Sequence, residues 1–484
     1  MSDLESKQES SLRWYDRKIL PFMPAYSSSM FQVVVLSLVC FMTTGMYNAL
    51  TGIGGSGITI GVANNGSTAL YIVFCVWGFF SGYLCNMIGV KLALCIGSCG
   101  YCLYSGALFY YSKHAATNPG GAEAFIYASS AILGACAGTL WSAQGSIMMS
   151  YPPEEKKGRA IMIFWVIFNL GGVVGSAISL GNNLKNNEST ATDSTYAVFI
   201  ALMGSGLLFA LGILPAHKVW KYDVGEERVV SYQYPHWKSE LASMFRMLYK
   251  EPKIYLMFPM FFASNWFYTY HFNDVNAARF NIRTRSLNSL LYWLSQMVGA
   301  FGFGLVLDWE RFNRKTRTKI AWGILMALTL AIWGGGLKFQ LQYTRESVMH
   351  MELYDYKHRA YIGPMFLYIF YGMYDAIFQN FIYYLLGAIS NNPKKTAIYG
   401  AFYKSIQSAG AAIMWRLDYY EIPYINMFAS CWALCAGSVM IAFPLAFFMI
   451  QNHTDVEDDD LNGEMVMKQA DISCIENTSS TTEK

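Results

Sequence analysis

Charge is what this sequence has least of. Only 14% of its 484 residues are Asp, Glu, Lys or Arg, where a soluble protein carries about a quarter. The deficit runs along most of the chain and excludes a soluble globular domain or a nucleic-acid binder. The ten cysteines show no metal-ligand spacing. Cys40, Cys75, Cys95 and Cys431 lie inside apolar runs, where thiols behave as small hydrophobes. No metal and no cofactor is implied. Also missing are G-x-S-x-G, H-E-x-x-H and a nucleotide loop, so an enzyme is not expected. Gly52–Gly57 matches G-x-G-x-x-G, but it follows an apolar run instead of a strand. The first thirty residues are polar, and the apolar run behind them is too long for a signal peptide.

What is present is apolar length. Hydrophobic residues make up 54% of the chain and aromatic ones 16%. A run of about 20 apolar residues is what a helix needs to cross a hydrocarbon core. Lipid offers the backbone no hydrogen-bond partner, and runs this continuous do not alternate as barrel strands do. The expected fold is all-α: a polytopic membrane protein of about twelve transmembrane helices in two six-helix halves. Spans are predicted near 31–51, 67–87, 91–111, 124–149, 160–181, 195–215, 254–273, 287–307, 319–337, 361–389, 396–415 and 424–450. The organisation follows: an N-terminal segment 1–30, a first half 31–215, a central loop 216–253, a second half 254–450 and a disordered tail 451–484. Residues 239–249 within the central loop have the pattern of an amphipathic interfacial helix.

Of the 35 Lys and Arg residues, 24 fall on the side that holds both chain ends, 10 fall in the opposite loops, and Lys404 lies within a span. The positive-inside rule therefore predicts cytosolic termini, in the plasma membrane or an endomembrane. Glycosylation sequons at Asn65 and Asn187 fall in the opposite loops, as that orientation requires. Two more, at Asn452 and Asn477, fall in the tail.

Between spans 2 and 3 stands Gly82-Tyr-Leu-Cys-Asn86-Met-Ile-Gly89-Val-Lys91. Between spans 8 and 9, Gly304-Leu-Val-Leu-Asp308-Trp-Glu-Arg311 repeats the glycine-to-acid spacing. The pair resembles the gating loops of the major facilitator superfamily, with Asn86 in place of an acid. Span 4 carries Trp141-Ser-Ala-Gln144-Gly145. Proton-coupled antiporters of that superfamily have arginine where this chain has Trp141, so an antiport mechanism of that type is not expected. Leu140–Gly145, Phe280-Asn-Ile-Arg283-Thr-Arg285-Ser-Leu-Asn288 and Phe402-Tyr-Lys404-Ser-Ile-Gln407-Ser-Ala-Gly410 together resemble the fungal branch of the uncoordinated-93-like (Unc-93-like) proteins. That resemblance implies the major facilitator fold. It leaves two roles open: a transporter, or a membrane chaperone or channel regulator on the same scaffold, which would add a protein partner.

Asp375 and Lys404 lie 16 residues before and 13 after Asn391, which places them within about 5 Å of one depth. A bare charge at mid-membrane costs about 2.5–3.5 kcal/mol even on the mildest scale. The two are expected to form an ion pair or share a wet cavity, with a role in coupling. Trp141, Gln144, Asn169, Asn265, Tyr268 and Gln407 are candidate cavity residues. The expected function is a major-facilitator-type secondary transporter of a small molecule or ion, embedded in the lipid bilayer and open to proton coupling.

Overall fold

The computed structural model describes residues 13–18, 23–52, 60–185, 193–221, 228–229, 245–246 and 248–453. The sequon at Asn187, the one at Asn477, the disordered-tail expectation beyond 453 and most of the amphipathic segment 239–249 lie outside the described residues.

Twelve helical segments follow one another among the described residues. The first half holds α1 (Ser29–Cys40, then a π turn Phe41–Gly45, then Met46–Gly52), α2 (Ile60–Ile88), α3 (Val90–His114), α4 (Pro119–Ser150), α5 (Lys157–Lys185) and α6 (Asp193–Gly212). The second half opens with α7, broken into Pro252–Tyr255, Phe258–Ala263, Trp266–Thr269 and a π segment Tyr270–Ala277. It continues with α8 (Ile282–Leu307), α9 (Arg314–Gln340), α10 (Ile362–Ile389), α11 (Pro393–Tyr419) and α12 (Tyr424–Ile441). Local chemistry sets several starts. Asn118, Asn281 and Asn313 cap α4, α8 and α9 by accepting backbone N–H bonds through their side-chain oxygens, which satisfies donors the helix leaves open.

Eight of the twelve are long and apolar enough to cross a membrane by composition. The four that fall short are α6, α7, α10 and α11. The last three carry polar residues of the candidate site, and α7 is in addition broken into short pieces. One expectation needs correction here. Asn65 was placed in a loop, but α2 starts at Ile60 and holds Asn65, exposed, within its first two turns.

Glycines let helices approach closely where packing cannot rely on a hydrophobic contrast with lipid. A Cβ at Gly134 would press on the Leu70 carbonyl and lie 3.0 Å from the Phe74 nitrogen, so α4 needs glycine there to seat on α2. Gly134→Leu is expected to lower stability by about 1–3 kcal/mol or more through overpacking, read as a lower melting temperature in detergent. Between the halves, α2 and α4 pack on α11, and α5 packs on α8. Those contacts are also glycine-lined: Gly82 sits against Ala397 and Ala401, Gly145 against Gly400, Gly172 against Trp293, and Gly304 against Met162.

The Phe280–Asn288 motif builds the end of the bundle remote from Gly89. Arg285 donates to the Phe280 and Ala277 carbonyls, and Asn288 donates to Asn276 while accepting from Tyr361. Arg283 and Asn281 both bond Asp355 in the α9–α10 connection. Burial pushes the Asp355 carboxyl up, but the Lys357 backbone N–H, Arg283 and Asn281 hold it down at about 2. A depressed carboxyl contributes stability that is present above its ordinary range, near pH 4, and lost as pH falls toward 2. Asp355→Asn is therefore expected to lower the melting temperature at pH 7 and to flatten its decline below pH 4.

Candidate functional site

At the level of Lys404 the halves enclose a cavity of about 90 Å³. It is lined by Thr44, Tyr47 and Asn48 of α1, Leu70, Tyr71 and Phe74 of α2, and Tyr101 of α3. The remaining walls are Leu133, Ala137 and Trp141 of α4, Trp165 and Phe168 of α5, Asn265 and Tyr268 of α7, Gln379 of α10, and Lys404 and Gln407 of α11. Both halves contribute, as expected for a site shared by two bodies.

Among the described residues Lys404 is the one ionisable cation in the lining, and it is buried. Its ammonium donates to Gln407 Oε1 at 2.7 Å and to Gln379 Oε1 at 3.5 Å. It also stands 4.3 Å from the Trp141 ring and 4.6 Å from the Tyr403 ring. A cation over an aromatic face gains about 2 kcal/mol when desolvated, which offsets much of the cost of holding the charge at this depth. Trp141 thus serves the site through its π face, a role that its place in the sequence does not announce.

The expected contact between Asp375 and Lys404 is corrected by the structure: no salt bridge joins them. Gln379 stands between, donating to Asp375 Oδ1 at 2.8 Å and accepting from Lys404. The physical reason is helical spacing. Gln379 lies one turn beyond Asp375 on α10, so both face the same way, and its carboxamide reaches Lys404 first. Asp375 is fully buried behind it, where Oδ2 accepts from Gln296 Nε2 at 2.7 Å and from Tyr292 OH at 3.2 Å. Gln379 also donates to Tyr268 at 3.1 Å, and Gln407 donates to Ser264 at 2.8 Å. A continuous hydrogen-bonded network therefore connects the cavity wall to the hidden carboxylate.

The other candidates divide. Asn265, Tyr268 and Gln407 line the cavity with Trp141. Asn265 stands at a break in α7, with ψ of 1°, and this break turns its side chain away from regular helical register. Gln144 does not line the cavity. Its Oε1 accepts from Tyr383 OH at 2.9 Å and so ties α4 to α10. Asn169 is also off the cavity, buried with neither amide atom hydrogen-bonded. Sequence reasoning missed Gln379, Tyr292 and Gln296. The spacing of four from Asp375 to Gln379 was a usable signal; the approach of α8 to α10 was not visible in one sequence.

At the Gly89 end the halves are tied by charge. Lys157 of α5 donates to the Gly387 carbonyl, to the Ser390 carbonyl at 3.4 Å and to Asn391 Oδ1 at 2.6 Å. Glu154 pairs with Arg314 at 3.1 Å and with His453 at 2.8 Å. Asp308 meets Arg159 at 3.2 Å and Arg317 at 3.9 Å. Of the expected gating residues, Gly89 turns the chain with φ of 83°, a conformation open chiefly to glycine. Gly82 and Gly304 are packing points between the halves. Lys91 and Arg311 are exposed, and the partners of Asp308 are Arg159 and Arg317 instead of Arg311. These contacts hold the two halves together at the Gly89 end.

Comparison with known proteins agrees with that architecture. The Major Facilitator Superfamily profile matches residues 30–415. An UNC93-like protein of Schizosaccharomyces pombe is 48% identical over 443 residues, covering 90% of this chain and 86% of its own. UNC93-like protein 1 of Arabidopsis thaliana is 37% identical, covering 90% and 94%. Among solved structures, the E. coli fucose:proton symporter FucP superposes with a TM-score of 0.60 at 12% identity, covering 87% of this chain and 98% of that one. The proton:xylose symporter XylE gives 0.60 at 12%, covering 87% and 95%. With the fold, the two halves and the closely similar relatives in agreement, this chain belongs to the Major Facilitator Superfamily, in its UNC93-like family.

Proposed function

We propose that the protein is a secondary transporter of a small solute that works by alternating access, with Asp375 as its proton-responsive group. The observation that carries this reading is Gln379, which links a central cavity shared by both halves to a buried carboxylate outside that cavity. A solute that disturbs Lys404 or Gln379 changes the partners of Asp375, so occupancy and protonation affect one another. The ties through Lys157, Glu154 and Asp308 are the closed gate of this state, and the glycine-lined contacts between the halves are the surfaces that rock. The positive-inside count supports a cytosolic Gly89 end. Trp141, which replaces the arginine of proton-coupled antiporters, lies over Lys404 as part of the cavity wall. The test is solute uptake into sealed vesicles under an imposed pH gradient, wild type beside Asp375→Asn. Proton-driven uptake lost in the variant supports the reading. Folded, oriented protein that moves nothing favours a chaperone or channel regulator.

A further inference from the structure

We infer that the cavity takes a small monocarboxylate-sized anion and that each anion enters with one proton carried on Asp375. This rests on the transporter reading above and names its substrate class.

Three features of the lining set the sign of the ligand. Among the described residues, Lys404 is the only charged side chain on the wall, and no carboxylate is there. The ammonium has two amide acceptors, one at 3.5 Å, and among the described residues no anion within 4 Å, so one of its three donors is left to an aromatic face. Trp165 is buried, lines the same cavity, and its indole N–H has no partner. An indole N–H can only donate. A cation from α11 and an orphaned donor from α5 in one lining call for an acceptor that carries negative charge, while Trp141, Phe168 and Tyr71 suit a short apolar remainder. Size narrows the class. A 150 Å³ cavity holds benzene, with its six heavy atoms, so about 90 Å³ suits a solute of about four, the size of acetate.

Charge balance sets the stoichiometry. Without solute the site holds one acid and one base, separated by Gln379. An anion on Lys404 beside an ionised Asp375 would leave a net negative charge in a low-dielectric interior, which is costly. Protonating Asp375 restores neutrality: the proton bonds to a carboxylate oxygen, and nothing else is gained or lost. The groups that face Asp375 allow this. They are Tyr268, Tyr292, Gln296, Gln379, Lys404 and Tyr403 at longer range and, from α12, Cys435, and only Lys404 carries charge in that set. Anion and proton are thus linked reciprocally, and the step is electroneutral.

The experiment uses the purified full chain with acetate as probe, and glycerol and choline as neutral and cationic controls. Binding is measured in detergent at pH 5.5 and 7.5, and flux is measured in vesicles against protein-free vesicles. Wild type is expected to bind acetate at least tenfold more tightly at pH 5.5, and an inward proton gradient is expected to drive uptake, above the protein-free level, that ignores membrane potential. Lys404→Gln should weaken acetate binding at least tenfold. Asp375→Asn, a neutral stand-in for the protonated acid, should bind equally well at both pH values. That loss of pH dependence is a signature that a merely structural role would not give. Acetate binding unchanged in Lys404→Gln, or still pH-dependent in Asp375→Asn, overturns the proposal. So does uptake of glycerol or choline without acetate, and in that case the transporter reading survives. Linked binding of acetate and proton without any protein-dependent flux supports the ligand class and removes the transporter reading instead.

Discussion

Asp375→Asn is expected to cut proton-driven uptake by about 5–150-fold, the range set by a coupling free energy of about 1–3 kcal/mol. The fold should survive the change. Asparagine keeps one oxygen to accept from Gln379, Gln296 or Tyr292, and the cost of a mismatched donor is about 1–3 kcal/mol. That is affordable in a core where Tyr374, Phe378, Phe381 and Tyr383 on the same helix are fully buried. Uptake and melting temperature measured on one preparation separate the two effects. A variant with wild-type flux would remove Asp375 from coupling and leave it as a structural acceptor.

Lys157→Met carries the second large effect. The ammonium at the start of α5 reaches across the boundary between the halves to two carbonyls at the end of α10 and to Asn391. Charge-assisted bonds contribute about 1.5–3 kcal/mol each before water replaces them on opening. A net loss of about 2–3 kcal/mol shifts the population open at the Gly89 end by about 30–150-fold. A cysteine placed at Ser390, buried in the closed state, reads that shift through its rate of reaction with a membrane-impermeant maleimide. Equal rates in wild type and Lys157→Met would show that the gate is held elsewhere.

Much of the architecture was legible because lipid restricts the choices. Apolar length fixed the number and order of spans, since a spanning backbone must bond to itself. The boundaries that slipped, such as the start of α2 before Asn65, are those where a helix runs past the apolar stretch into polar residues. The candidate site was legible in part. Intramembrane charge drew attention to Asp375 and Lys404, and depth counting brought them to one level. Periodicity could put Gln379 one turn from Asp375 on the same face, but not show which of the two would reach Lys404 on α11 first. Trp141 was recognisable only as the absence of arginine, and its value as a π partner depends on where Lys404 ends. The break of α7 at Asn265 was hidden for the same reason: a single chain does not reveal which turns its neighbours will hold open.

The central claim is that two halves rock about the cavity, closing one end as the other opens. It is tested most directly by distances between spin labels at both ends, on Lys91 with Arg311 and on Gly120 with Leu353, all exposed positions. Wild type is compared with Lys157→Met. The account predicts that the variant lengthens the Lys91–Arg311 distance and shortens the Gly120–Leu353 distance in the same population. Distances that stay fixed at both ends, or that change at one end alone, would contradict alternating access and return the protein to the regulator reading.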